Sequence, residues 1–186
     1  MSRATLLALL LSVAVDAPGQ DGGPFAGIPN VTLDYYDVSG TSADAVRTAI
    51  NAARPMDPDD GKTYDALTHW DIQWEWRTVD DVCQPSSAEV TVSTRVRLPR
   101  LANLESVSQS LRDRWTKYVS ALQKHEVGHL IPVLDAIPGL QAAMRASPTC
   151  EAMEQLVKQA IADLTRQGID YDRTTHHGAT QGAVFP

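Results

Sequence analysis

"QKHEVGHLIPV", residues 123–133, decides how this chain is read: two histidines stand four apart, with a glutamate directly after the first. With five histidines and six glutamates in 186 residues, H-E-x-x-H arises in roughly one random shuffle in 250, so chance is a poor explanation. On a helix, residues i and i+4 are about 6 Å apart at Cβ and point the same way. That lets His125 and His129 hold one ion from adjacent corners of a tetrahedron. Glu126 lies about 100° around the helix from His125 and about 60° from His129, at the border of the same face. From there its carboxylate reaches a water on the ion rather than the ion itself, takes a proton and later gives it to a leaving amine. The competing reading is a helix with two packed histidines hydrogen-bonded to their neighbours.

The flanking sequence supports a helix. Ser106 and Gln109 have capping-box spacing, and "SLRDRWTKYVSALQKHEVGH" follows without a breaker. Leu111, Trp115, Tyr118, Leu122, His125 and His129 fall within about 80° of one another, so the histidines share the buried face. There an unsatisfied imidazole would be costly. Pro132 is expected to end or bend this helix because it cannot donate to the carbonyl of Gly128. A last helix is predicted from about Ser147-Pro148 to Gly168, with Met153, Leu156, Ala160 and Leu164 facing inward. The remaining tail, "IDYDRTTHHGATQGAVFP", reads as a loop.

Upstream the period changes. "VTLDYYDVSG" (31–40) reads as a first strand, after which Thr41 or Ser42 caps a helix running to about Ala53. In "THWDIQWEWR" (68–77), Trp70, Ile72, Trp74 and Trp76 alternate with polar residues, the period of a strand with one core face. "AEVTVSTRVRL" (88–98) alternates in the same way, and the two runs are expected to pair antiparallel through the loop that carries Cys83. If the second run lies at a sheet edge, it could hold a peptide by strand addition. The predicted class is α+β: a small, mostly antiparallel sheet packed on a buried HExxH helix, as in zincin-like proteases.

The N-terminus, "MSRATLLALLLSVAVDAPGQ", has the parts of a secretory signal: Arg3, the apolar run Ala4–Val15 and small residues at 12–17. The organisation expected is a signal peptide over 1–17, a Gly/Pro-rich flexible lead-in over 18–29, and one domain over 30–186. The chain is thus expected to be secreted or periplasmic, with no stable membrane insertion once the signal is removed. A formal net charge of −7 argues against nucleic acid as a partner. In an oxidising compartment the two cysteines, Cys83 and Cys150, are expected to form a disulfide, worth about 4 kcal/mol by the chain-entropy argument.

A catalytic zinc needs a third protein ligand and an open fourth position. The chain lacks the H-E-x-x-H-x-x-G-x-x-H extension, and Glu151, Glu154, Asp163, Asp172, His176 and His177 all remain candidates. Paired histidines in a polar tail are poor core residues, which tilts the choice toward His176 or His177.

Four segments, "YYDVSG" (35–40), "THWDIQWEW" (68–76), "LRDRWTKYVSALQKHEVGH" (111–129) and "YDRTTHHGATQGAVFP" (171–186), resemble the DUF922 family, predicted secreted zinc-dependent proteases of bacteria. The last segment is similar to the family's Y-D-x-x-T-x-H-G-x-x-Q-G-A-x-F-P. The resemblance implies His125, His129 and His177 as zinc ligands and Glu126 as the base, and the cysteine pair also matches the family's arrangement. Around that site, Asp172 is a candidate to accept the second ring proton of a ligand histidine. Tyr171 is a candidate donor to the oxyanion. Gly128 is expected to let a neighbouring strand approach closely. The function expected is hydrolysis of a peptide or protein substrate by a monomeric zinc metallopeptidase. The alternatives are a zinc amidase acting on a cell-wall or other non-protein amide, and a non-catalytic module stabilised by its metal.

Overall fold

The computed structural model describes residues 23–58 and 60–186, so the expected signal peptide lies outside the described residues. Along the chain come β1 (Val31–Val38), α1 (Ala43–Ala53), β2 (Leu67–Val79), β3 (Val82–Leu101), α2 (Gln109–Arg145) and α3 (Cys150–Thr175). One-turn 3₁₀ segments lie at Leu104–Ser106 and Ala179–Gln181. The class is α+β, as expected.

β2 and β3 form a long hairpin in which Trp70 faces Thr94 and Ile72 faces Val92. Asp80 and Asp81 turn it with φ of 50° and 59°, the double left-handed geometry of a tight two-residue loop. β1 lies on the other side of β3 and runs parallel to it, with Leu33 opposite Val96. The sheet is therefore mixed rather than mostly antiparallel: the hairpin sets the direction of β2, whereas the α1 crossover sets that of β1. The order β1-β3-β2 also makes β3 central, so the run at 88–98 offers no free edge, and the edges belong to β1 and β2.

Apolar side chains from the sheet divide into two cores. Val46, Ile50, Val96, Leu98, Leu111, Trp115, Tyr118, Leu122 and Leu130 belong to the larger. Ile72, Val90, Val92, Val133, Leu140, Met144, Met153 and Val157 form the other, with Trp70, Trp74 and Trp76 partly buried against it. α2 crosses both cores, and by length and composition alone it could span a membrane. Its buried residues, however, pack on the sheet and on α3.

The helix ends differ from expectation. Ser108, not Ser106, caps α2 by accepting from the Leu111 amide. The helix then runs through both Pro132 and Pro138 to Arg145. An interior proline costs about 3 kcal/mol of helix stability. Here Leu130 and Val133 on one side, and Leu140 and Met144 on the other, are buried and hold the axis in place. α3 begins after the Thr149 cap and passes Gly168 to reach Thr175, so Tyr171 and Asp172 lie on a helix rather than in a loop. Gly168 costs only about 1 kcal/mol against alanine, too little to stop a helix already under way.

Both ends of the described chain dock. Phe25, in the stretch expected to be a flexible lead-in, is buried in the larger core. Phe185 packs against Trp115 and Tyr118, with ring centroids 5.6 and 5.2 Å away. Below the site, Asp65 binds Arg47 through two contacts of 2.8 Å and accepts from the Tyr118 hydroxyl at 2.7 Å, while its carbonyl accepts from Tyr36 at 2.7 Å. This knot ties α1, β1 and α2 to the start of β2. Cys83 and Cys150 are joined, fastening the start of β3 to the first turn of α3. Replacing both cysteines by serine should lower unfolding stability by about 2–5 kcal/mol, read as a lower urea midpoint. An unchanged midpoint would show that the crosslink is energetically idle.

Candidate metal centre

His125 and His129 sit at the junction of the two cores, between Leu122 and Leu130 of the larger and Val133 of the smaller. α3 crosses α2 at that level and delivers Asp172. His125 Nε2 is 3.0 Å and His129 Nε2 3.1 Å from Asp172 Oδ1, and the two Nε2 atoms are 3.3 Å apart. Neighbouring ligand atoms on a tetrahedral zinc, with bonds of about 2.0–2.1 Å, are about 3.3 Å apart. The three atoms thus outline one face of such a site. The donor set, two imidazoles and a carboxylate, suits zinc and leaves one position open. These three residues form the metal-competent cluster among the described residues.

Burial grades across the cluster: the His125 side chain is 3% exposed, His129 15% and Asp172 30%, so solvent reaches it from the Asp172 side. Burial drives the His125 pKa down, but hydrogen bonding to Asp172 and the charge of Glu126 outweigh it and leave the value raised. Burial pushes Asp172 up, yet its bonds to both histidines hold the carboxyl well below the usual carboxylate range. Glu126 is buried, not at the border of the face as expected, and burial raises its pKa. Its Oε2 accepts from Thr68 Oγ1 at 2.6 Å, which anchors it to β2.

The roles expected of the tail are redistributed. Asp172 Oδ1 contacts the Nε2 atoms of both histidines, so it could share an ion with them as well as accept a ring proton. His177 lies at the rim: its side chain is 52% exposed, its Nδ1 is 3.4 Å from Asp172 Oδ1, and its ring packs on Tyr64 at 4.7 Å. His176 and His177 both have φ of 51°, and both their amide N–H groups donate to the Asp172 carbonyl, which closes the turn. Two left-handed non-glycine residues cost of order 1 kcal/mol each or more, strain tolerated where a site fixes the backbone.

Gln181 contacts the other ring nitrogen of His125. Its Oε1 is 3.0 Å from His125 Nδ1, and its Nε2 donates to the Tyr171 hydroxyl at 3.0 Å. With Nδ1–H donating to Gln181, Nε2 of His125 is left free to bind a cation. Tyr171 stacks on His125 (5.0 Å, 11° between planes) and meets His129 edge-on at 5.0 Å. It fits because Gly128 has no side chain: a Cβ there would stand 2.1 Å from the Tyr171 hydroxyl. Gly128 therefore admits α3 and not, as expected, a strand. Gly178, at φ 79°, similarly clears His125, whose Cγ would be 2.9 Å from an added Cβ. Gln181 and Thr68 were missed from the sequence, although each carried a signal. Gln181 stands in the quoted tail pattern, and Thr68 shares the inward parity of Trp70 and Ile72.

The chain belongs to the DUF922 family, described as bacterial protein of unknown function, which matches over residues 33–178. No curated protein matches the chain, and no solved structure does.

Zinc titration separates the roles of these residues. Asp172→Ala should weaken zinc binding by at least about 100-fold and Gln181→Ala by about 10–100-fold, while His177→Ala costs less than about tenfold. The reverse order, with His177→Ala as damaging as His125→Ala, would place His177 in the ligand set.

Proposed function

We propose that this chain is a zinc-dependent hydrolase of peptide bonds that works outside the cytoplasm. The observation that carries the reading is the convergence of His125, His129 and Asp172 on one point beside the buried carboxylate of Glu126. A purely structural pair of histidines would not call for a carboxylate oxygen shared between both Nε2 atoms next to a second, buried carboxylate. Zinc held by these three residues supplies Lewis acidity, acidifying water and polarising a substrate carbonyl.

The chain's own residues do the rest. Glu126 is the proton carrier: Thr68 holds Oε2, which leaves Oε1 to take a proton and return it to the leaving amine. Burial raises the Glu126 carboxyl above its ordinary value, which makes it a stronger base. The Tyr171 hydroxyl accepts from Gln181 Nε2 at 3.0 Å and donates only a long 3.4 Å bond to Gln181 Oε1, which a developing oxyanion would outcompete for the proton. β2, at the sheet edge and carrying Thr68 beside the site, is the strand that could hold an extended peptide. The disulfide is compatible with an oxidising compartment, and the leader-like N-terminus supports export.

Glu126→Gln tests this directly against a library of quenched fluorescent peptides. Zinc content should stay at one equivalent while the hydrolysis rate falls by about 100- to 10,000-fold. Hydrolysis at an unchanged rate in Glu126→Gln, or none by the zinc-loaded parent protein on any peptide, would refute the reading.

A further inference from the structure

On the far side of the His129 ring from Asp172 the surface opens into a pocket between β2, α2 and α3. Its volume is about 110 Å³. Trp70, Pro132, Val133 and Leu164 give it apolar walls, and Gly168 lies along one side. His129, Gln167 and Tyr171 contribute its polar atoms. Two features of the sequence keep it open. Pro132 brings a compact ring with no N–H to satisfy. Gly168 leaves a gap in which an added Cβ would meet only His129 Nδ1, at 3.7 Å. Cavities of about 150 Å³ lined by apolar side chains stay dry and take up benzene-sized groups. A slightly smaller one accepts an isobutyl or sec-butyl group.

We propose that this pocket receives one branched aliphatic side chain of the substrate, so that the bond cut lies next to a leucine- or isoleucine-type residue. The inference rests on the hydrolase reading and deepens it. His129 is the shared wall: its Nε2 faces the metal-competent cluster, and its Nδ1 edge lies beside Gly168 in the pocket. A side chain seated there places its own backbone within one imidazole width of the reacting centre. β2, which carries Trp70 into the pocket and Thr68 to Glu126, sets the direction from which that backbone arrives. Burying an isobutyl group gains about 1.5–3 kcal/mol at full burial, a preference of roughly 10–150-fold over glycine.

Binding is measured first, on metal-free protein, by following the Trp70 indole resonance on addition of N-acetyl-leucinamide or N-acetyl-glycinamide. The leucine compound should shift it with at least about fivefold higher affinity than the glycine compound. Gly168→Ala, which adds a methyl to the pocket at ordinary contact distance and favours the helix, should weaken that binding at least about threefold and leave zinc uptake unchanged. Leu164→Ala, which enlarges the pocket, should shift the preference toward N-acetyl-phenylalaninamide. Equal binding of the leucine and glycine compounds, or no perturbation of Trp70 by either, would overturn the proposal. The cleavage profile of the zinc-loaded protein on a peptide library separates the two readings. Cleavage with no aliphatic preference would overturn the pocket assignment and keep the hydrolase. Selective binding without any cleavage would keep the pocket and remove the hydrolase.

Discussion

Where α2 meets α3, two imidazole nitrogens and a carboxylate oxygen stand within 3.3 Å of one another. Lone pairs at that spacing repel unless a proton or a cation lies among them, and the repulsion grows as the surroundings become less polar. The fold brings these atoms together on two separate helices, so α2 and α3 must meet in one register. The crosslink from β3 to the first turn of α3 and the shared core under Met153 and Val157 both hold that register. A cation converts the repulsion into a contact that stabilises the folded state by mass action.

Small residues and tail residues finish the arrangement. Gly128 lets Tyr171 lie on the helix beside His125, and Gly178 lets the turn after α3 pass close over the same ring. Phe185 anchors the tail in the larger core, which keeps Gln181 against His125 Nδ1. On the opposite side the Asp65 knot fixes the start of β2, and β2 presents Thr68 to Glu126. The site thus draws on both cores and is borne by α2, the element that crosses them. A change in either core therefore reaches the histidines through the helix that carries them.

Much of this was legible in the residues themselves. Period-two alternation located β2 and β3 and their antiparallel pairing, and helical spacing put His125 and His129 on the buried face of α2. Local rules failed where tertiary packing outweighed them. Pro132 and Pro138 did not end α2 because buried leucines, valine and methionine flank them. Gly168 did not end α3 either, since a single interior glycine costs a helix only about 1 kcal/mol, and that misreading hid the helical placement of Tyr171 and Asp172. Strand direction across β1 and β3 depends on a crossover that no local pattern encodes. The placement of Asp172 and His177 depends on geometry six residues long: a helix continuing to Thr175 aims Asp172 inward and carries His177 to the rim.

X-ray absorption at the zinc edge of the zinc-loaded protein reads the ligand set, because imidazole and carboxylate ligands scatter differently. A site built from His125, His129 and Asp172 should show two imidazoles together with oxygen donors at about 2.0 Å, with the imidazole signature unchanged in His177→Ala. Three imidazoles falling to two in that variant, or no zinc retained by the parent protein, would contradict it.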